Sequence, residues 1–213
     1  MTPPLFDSAF RDRLEDLFAW RRDVRRFRSD PLPDGSLEHL LDVTDLAPSV
    51  GNAQPWRFVL VETPACRAAV RASFIACNKA ALASYEGERA ALYAQLKLEG
   101  LDQAPVQLAV FCEEAPAQGG GLGRATMPET LAYSVVGAIQ TLWLAARAEG
   151  IGLGWLSILD PGEVTRALDV PESWHFIAYL CLGWPEEEHL DPELVRHGWQ
   201  ERGTSSRERL LRR

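Results

Sequence analysis

The chain has 213 residues, 46% of them hydrophobic, and no Pro/Gly/Ser-rich linker divides it into two similar pieces, so one domain over 1–213 with a sizeable core is expected. A formal net charge of -8 without a long basic stripe argues against nucleic acid or an anionic membrane as the main partner, and leaves room for a small anionic ligand at one spot. MTPPLFDSAF has no basic n-region followed by an apolar run, and no segment reaches the ~20 apolar residues that span a bilayer, which points to a cytoplasmic protein.

Apolar residues at Phe6, Phe10, Leu14, Leu17 and Phe18 recur at helical spacing and predict an amphipathic helix from Phe6 to Trp20. Ser36 is a candidate cap for a second helix from Leu37 to about Leu46, broken by PSVGNAQPW with its two prolines and one glycine. Arg57 to Glu62 (RFVLVE) predicts a strand. The Ala/Leu/Glu/Arg-rich stretch from Ala65 to Gly100 predicts helix in two segments parted around Ser84 to Gly87. Val106 to Cys112 is a short continuous apolar strand. The following APAQGGGLGRATMP is the longest structureless stretch, and its part from Gly119 to Pro128 is a candidate for closing over a site. Its glycines lack the spacing of a phosphate loop.

Thr130 to Glu149 is apolar on nearly all faces and predicts a helix buried in the core or at a subunit interface. A strand at Leu153 to Ile158, a helix at Pro161 to Leu168 and a strand at His175 to Gly183 follow. Helices with about four strands and no regular βαβ repeat indicate an α+β fold. Cys66, Cys77, Cys112 and Cys181 form no CxxC pair, and His39, His175, His189 and His197 have no metal-binding spacing. Free thiols and no metal site are therefore expected.

The most pointed local feature is RRDVRRF at 21–27. With Arg28 it places five arginines in eight positions of an acidic chain, around Asp23. Guanidinium forks match phosphate in a bidentate way, so the cluster reads as an anion site; arginines leaving a helix C-terminus also complement its dipole or solvate a surface, and both readings stand at this level. Asp23 itself reads either as a reacting group or as a salt-bridge partner of Arg22, Arg26 or the helix end.

RRDVRRF, then APSVGNAQPW at 47–56, GIGLGWLSIL at 150–159 and WQER at 199–202, in that order and spacing, resemble the flavin-binding pattern of the nitroreductase-like family over most of the chain. The resemblance implies an α+β sandwich with a mostly antiparallel central sheet flanked by helices, and an intertwined homodimer holding FMN at its interface. Asp23 where nitroreductases usually carry Ser, Ser157 in GWLSILDP, and RATMPE after the glycine loop resemble the branch that fragments reduced FMN with O2. The products that branch implies are 5,6-dimethylbenzimidazole, the lower ligand of vitamin B12, and erythrose 4-phosphate. In this bookkeeping the ring and first ribityl carbon stay in the benzimidazole, and four carbons leave with the phosphate.

Carried over by position, Arg21, Arg22 and Arg25 would contact the FMN phosphate and ribityl chain, joined by Arg202. Ser49 and Asn52 would reach the flavin of the other subunit, and Lys97 the pyrimidine edge. Gly152 and Gly154 would admit the ring against the backbone, Asp23 would be the acid-base group, and Ser157 a hydrogen bond or proton relay. A separate flavin reductase would supply reduced FMN. Two alternatives are an NAD(P)H-dependent reductase of nitro compounds or quinones that recycles FMN, and a non-catalytic flavin-binding module.

Overall fold

The computed structural model describes residues 3–213. Asp7 caps helix α1 (Ser8–Trp20) by accepting from the Phe10 N–H at 2.8 Å, Thr63 caps α3 (Pro64–Ala83) at Cys66, and Asp160 caps α6 (Pro161–Leu168) at Glu163. Each is a short side-chain oxygen satisfying an N–H that has no partner within the helix, worth about 1 kcal/mol. The expected cap at Ser36 is corrected: Ser36 is the first residue of α2 (Ser36–Thr44), and Gly35, at φ 81°, precedes it without a side-chain bond. Helix α4 (Gly87–Gln95) ends before the expected Gly100, because residues 96–100 turn inward toward the arginine segment. A one-turn helix α7 (Glu193–Arg196), too short to leave a periodic signal, follows the last strand.

Strands β1 (Trp56–Leu60), β2 (Val106–Glu113), β3 (Gly152–Leu156) and β4 (Trp174–Gly183) form one antiparallel sheet in the order β1-β2-β4-β3. The α+β expectation therefore holds. Side chains alternate across it, and both faces are covered. Leu108, Val110 and Cys112 of β2 join Ala178, Leu180 and Leu182 of β4 in a cluster with α2 and α5 (Thr130–Ala148). Ala109, Phe111, Tyr179 and Cys181 point the other way, into a cluster with Val70 and Phe74 of α3 and Val164 of α6. Double coverage explains why β2 reads as an unbroken apolar run. A buried polar pair in the sheet interior is closed: Tyr179 donates to Gln107 Oε1 at 2.7 Å, and Gln107 donates to the Leu101 carbonyl at 2.8 Å.

α5 buries Leu131, Val135, Ile139, Leu142 and Trp143 in the core, while Tyr133 and Val136 on its far side stay exposed. α1 buries none of its residues, leaving Phe10, Phe18 and Trp20 partly open beside the C-terminal end of α5. Among the described residues no helix is long and apolar enough to cross a membrane.

Candidate active site

β3 is an edge strand, and the arginine segment that leaves α1 lies along its open side. Val24 donates to the Leu153 carbonyl at 3.0 Å, and Asp23 forms a parallel bridge with Leu153. The next free N–H of β3, on Trp155, is taken by a side chain: Asp23 Oδ1 accepts it at 2.8 Å. An edge donor thus finds an acceptor, and a carboxylate is fixed at the sheet margin.

The close approach requires glycine. A Cβ on Gly154 would stand 2.1 Å from the Val24 carbonyl oxygen, and one on Gly152 3.0 to 3.2 Å from the Val24 side chain. The space left by their missing side chains is filled by Val24, so they seat the arginine segment. Two glycines at i and i+2 share one strand face, a signal in the sequence for a second backbone lying close.

Asp23 Oδ2 accepts from both Nε (3.1 Å) and Nη2 (2.9 Å) of Arg25, whose Nη1 donates to the Lys97 carbonyl at 3.0 Å. The ion-pair partner of Asp23 is thus Arg25, in place of the expected Arg22 or Arg26; Arg26 pairs with Glu193 at 2.5 Å. Crowding by protein pushes the Asp23 carboxyl above the ordinary aspartate value, against the opposite pull of Arg25, the Trp155 N–H and Arg21. The side chain keeps 32% of its surface open, so this carboxylate is at once destabilised and reachable.

Arg21 lies over the Trp143 ring at 4.8 Å, and the Trp143 indole N–H donates to the Arg22 carbonyl at 3.1 Å. The Arg22 guanidinium donates to the Leu190 carbonyl at 2.8 Å and to the carbonyls of Ala19 and Arg21, so the chain beyond β4 folds back over it. Burial, then Arg202, then Arg21 lower the Arg22 pKa against the opposite pull of Asp191, so two further cations stand near enough to repel Arg22. Arg202 therefore reaches the cluster from the far end of the chain.

Ser49 and Asn52 lie elsewhere. Ser49 precedes, and Asn52 ends, a short 3-10 turn (Val50–Asn52) ahead of β1, at the opposite edge of the sheet from β3. Ser49 Oγ accepts from the Gln54 N–H at 3.0 Å, and Asn52 and Gln54 take left-handed φ values of 55° and 43°. Non-glycine residues held there are strained and persist only where the surroundings enforce them. The surroundings are the glycine loop: Gln118 donates to the Asn52 carbonyl at 2.6 Å, and a Cβ on Gly51 would meet the Leu122 carbonyl at 2.9 Å. The stretch proposed as a closing flap is docked on this turn.

Lys97 pairs with Glu99 at 2.7 Å, and its carbonyl holds Arg25. Ser157, just past β3, is exposed, and among the described residues its hydroxyl has no hydrogen-bond partner. Sequence reasoning missed Trp143, Trp155 and Val24, because each acts through a backbone atom or a packing contact that residue type does not advertise.

The family model described as "Nitroreductase family" matches residues 18–184. A curated 5,6-dimethylbenzimidazole synthase of Rhodospirillum rubrum is 63% identical over 201 residues, covering 94% of this chain and 95% of the relative. One of Rhodobacter capsulatus is 55% identical over 196 residues, with 92% and 95% covered. Among solved structures, an oxidized iodotyrosine deiodinase bound to FMN and 3-iodo-L-tyrosine has a TM-score of 0.69 at 28% identity, covering 83% of this chain and 91% of that one. With the four-stranded sheet, the arginine segment on its edge and these matches in register, the chain belongs to the nitroreductase family.

Proposed function

We propose that this single-domain chain is a 5,6-dimethylbenzimidazole synthase, fragmenting reduced FMN with O2 to 5,6-dimethylbenzimidazole and erythrose 4-phosphate. The observation that carries the reading is the carboxylate of Asp23, raised in pKa yet a third exposed, in a segment where Arg21 and Arg202 both crowd Arg22. It stands where the resemblance puts the reacting group, and the two synthases named above carry that activity in their names.

The residues present fit FMN. Among the described residues, Arg21, Arg22 and Arg202 have no carboxylate hydrogen-bonded to them, only Asp191 acting on Arg22 without a bond, and a phosphate would relieve the repulsion on Arg22. Reduced FMN, when bound, supplies the carbon skeleton of the product and the electrons that O2 accepts. Asp23 takes and returns the proton, its elevated pKa bringing acid and base forms closer to the working pH. Ser157, with a free hydroxyl two residues beyond Trp155, relays a hydrogen bond. Gly152 and Gly154 act indirectly, by letting the Asp23 segment lie on β3. Lys97 contributes its carbonyl to Arg25, and its ammonium serves the pyrimidine edge.

A complete site needs two copies of the chain, since Ser49 and Asn52 stand at the sheet edge away from Asp23; the open faces of α1 and α5 supply the contact. Light scattering is expected to give a homodimer, and an active monomer would overturn this. Reduced FMN comes from a separate flavin reductase, and the enzyme works in the cytoplasm.

The direct test mixes the protein with reduced FMN in air and looks for dimethylbenzimidazole by mass. A yellow protein that oxidises NAD(P)H and makes none would establish a recycling reductase instead. Arg202→Ala should weaken FMN binding by about 1.5 to 3 kcal/mol, the worth of a charge-assisted bond, and riboflavin binding far less. Equal losses for both flavins, read by titration, would remove Arg202 from the phosphate.

A further inference from the structure

We propose that Arg25 is the positioning residue of the reacting carboxylate, holding Asp23 so that one lone pair of Oδ1 is left to take a proton. The inference rests on the proposed role of Asp23.

The geometry carries it. An ionised carboxylate offers about four acceptor sites, two on each oxygen. Arg25 fills both on Oδ2 through Nε and Nη2, and the Trp155 N–H takes one on Oδ1. One site remains, on Oδ1. Arg25 is only 14% exposed, and all three of its nitrogens donate within the protein, Nε and Nη2 to Asp23 and Nη1 to the Lys97 carbonyl, which fixes its fork on the carboxylate.

The support behind Arg25 is itself built. A Cβ on Gly100 would lie 2.3 Å from the Phe27 ring, so only glycine lets the 97–101 connection close on the arginine segment. Glu99 then fixes that connection, pairing with Lys97 and accepting the Leu101 N–H. A small cavity between them is lined by Asp23, Arg25, Glu99, Gly154 and Cys181. The charged and titratable groups facing Asp23 are Arg21 and Arg25 from its own segment, Lys97 and Glu99 from the connection, and Cys181 from β4. Burial pushes the Cys181 thiol up to about 12, so it stays neutral. β3 offers only its backbone N–H. Arg25 is therefore the cation that orients this carboxylate and favours its charged form.

The experiment compares Arg25→Gln and Arg25→Lys with the parent, alone and with Asp23→Asn. In ligand-free protein, the Asp23 carboxyl followed by carbon NMR should titrate at higher pH in Arg25→Gln, since a favourable charge is lost, and near the parent in Arg25→Lys, which keeps it. Both variants should lose product on the order of 100-fold, the cost of a misplaced group, while the ratio of FMN to riboflavin affinity stays at the parent's. Added to Asp23→Asn, neither should cost anything further.

An unmoved titration in Arg25→Gln, a selective loss of FMN affinity, or losses that multiply with Asp23→Asn would each overturn the proposal. If Arg25→Gln does not fold, Arg25→Lys making product at the parent's rate does the same. Asp23→Asn alone working like the parent would instead sink the role of Asp23, and the titration would still report whether Arg25 governs its carboxyl.

Discussion

Asp23→Asn is expected to fold, dimerise and bind reduced FMN, and to make dimethylbenzimidazole at least ~100-fold more slowly, the contribution a positioned acid-base group typically makes. The substitution keeps an acceptor for the Trp155 N–H and leaves Arg21, Arg22 and Arg202 untouched, while removing the charge and the exchangeable proton. Its effect on stability separates two explanations of the residue. A carboxyl whose folded pKa is raised adds stability below its unfolded pKa, and that stability is lost as pH rises through the folded value. Above that window the parent holds an anion that the fold disfavours, so the neutral variant should melt at or above the parent, by a margin that grows as pH rises through it. A residue kept for its ion pair with Arg25 would give the reverse: a lower melting temperature and turnover within a few-fold. Single-turnover yield and melting of one preparation at several pH values decide between them. Sites tuned for chemistry at a cost in stability behave in the first way.

Gly154→Ala should be the most damaging single methyl in this region. The added carbon would sit 2.1 Å from a backbone oxygen of Val24, which cannot rotate away, so the arginine segment must lift off β3. With it go the Val24 to Leu153 hydrogen bond and the contact between Asp23 and the Trp155 N–H. We expect a loss at or beyond the upper end of the roughly 1–3 kcal/mol of ordinary overpacking, together with loss of product and of flavin binding. Gly152→Ala is the internal comparison. Its methyl meets the Val24 side chain at 3.0 to 3.2 Å, which a small shift relieves, so it should be markedly milder in denaturant unfolding and flavin titration. Equal effects of the two, or a Gly154→Ala that unfolds like the parent, would show that the segment is not seated through this contact.

Much of this was legible in the residues because its causes are local. The apolar run ending at Cys112 and the all-round apolarity of Thr130 to Glu149 each depend on neighbours within a turn or two of chain. Those signals determined the helices, the strands and the α+β class, and the order of four motifs determined the family expectation. Boundaries moved where a distant contact competed with propensity, as when residues 96–100 left the helical pattern to meet Arg25.

The division of labour among five similar arginines could not be read that way. Arg25 is set apart by a carbonyl 72 positions away, Arg22 by one 168 positions away, and Asp23 by an N–H 132 positions away. Likewise, that Val24 packs against Gly152 and Gly154 shows only once the segment from the end of α1 lies on β3. Residue type and spacing thus determined which chemistry is present, because side-chain charge and hydrogen-bonding capacity are intrinsic. Which arginine meets which oxygen, and which oxygen keeps a free lone pair, was decided only by tertiary structure, because hydrogen bonds act over about 3 Å between atoms that the sequence leaves far apart.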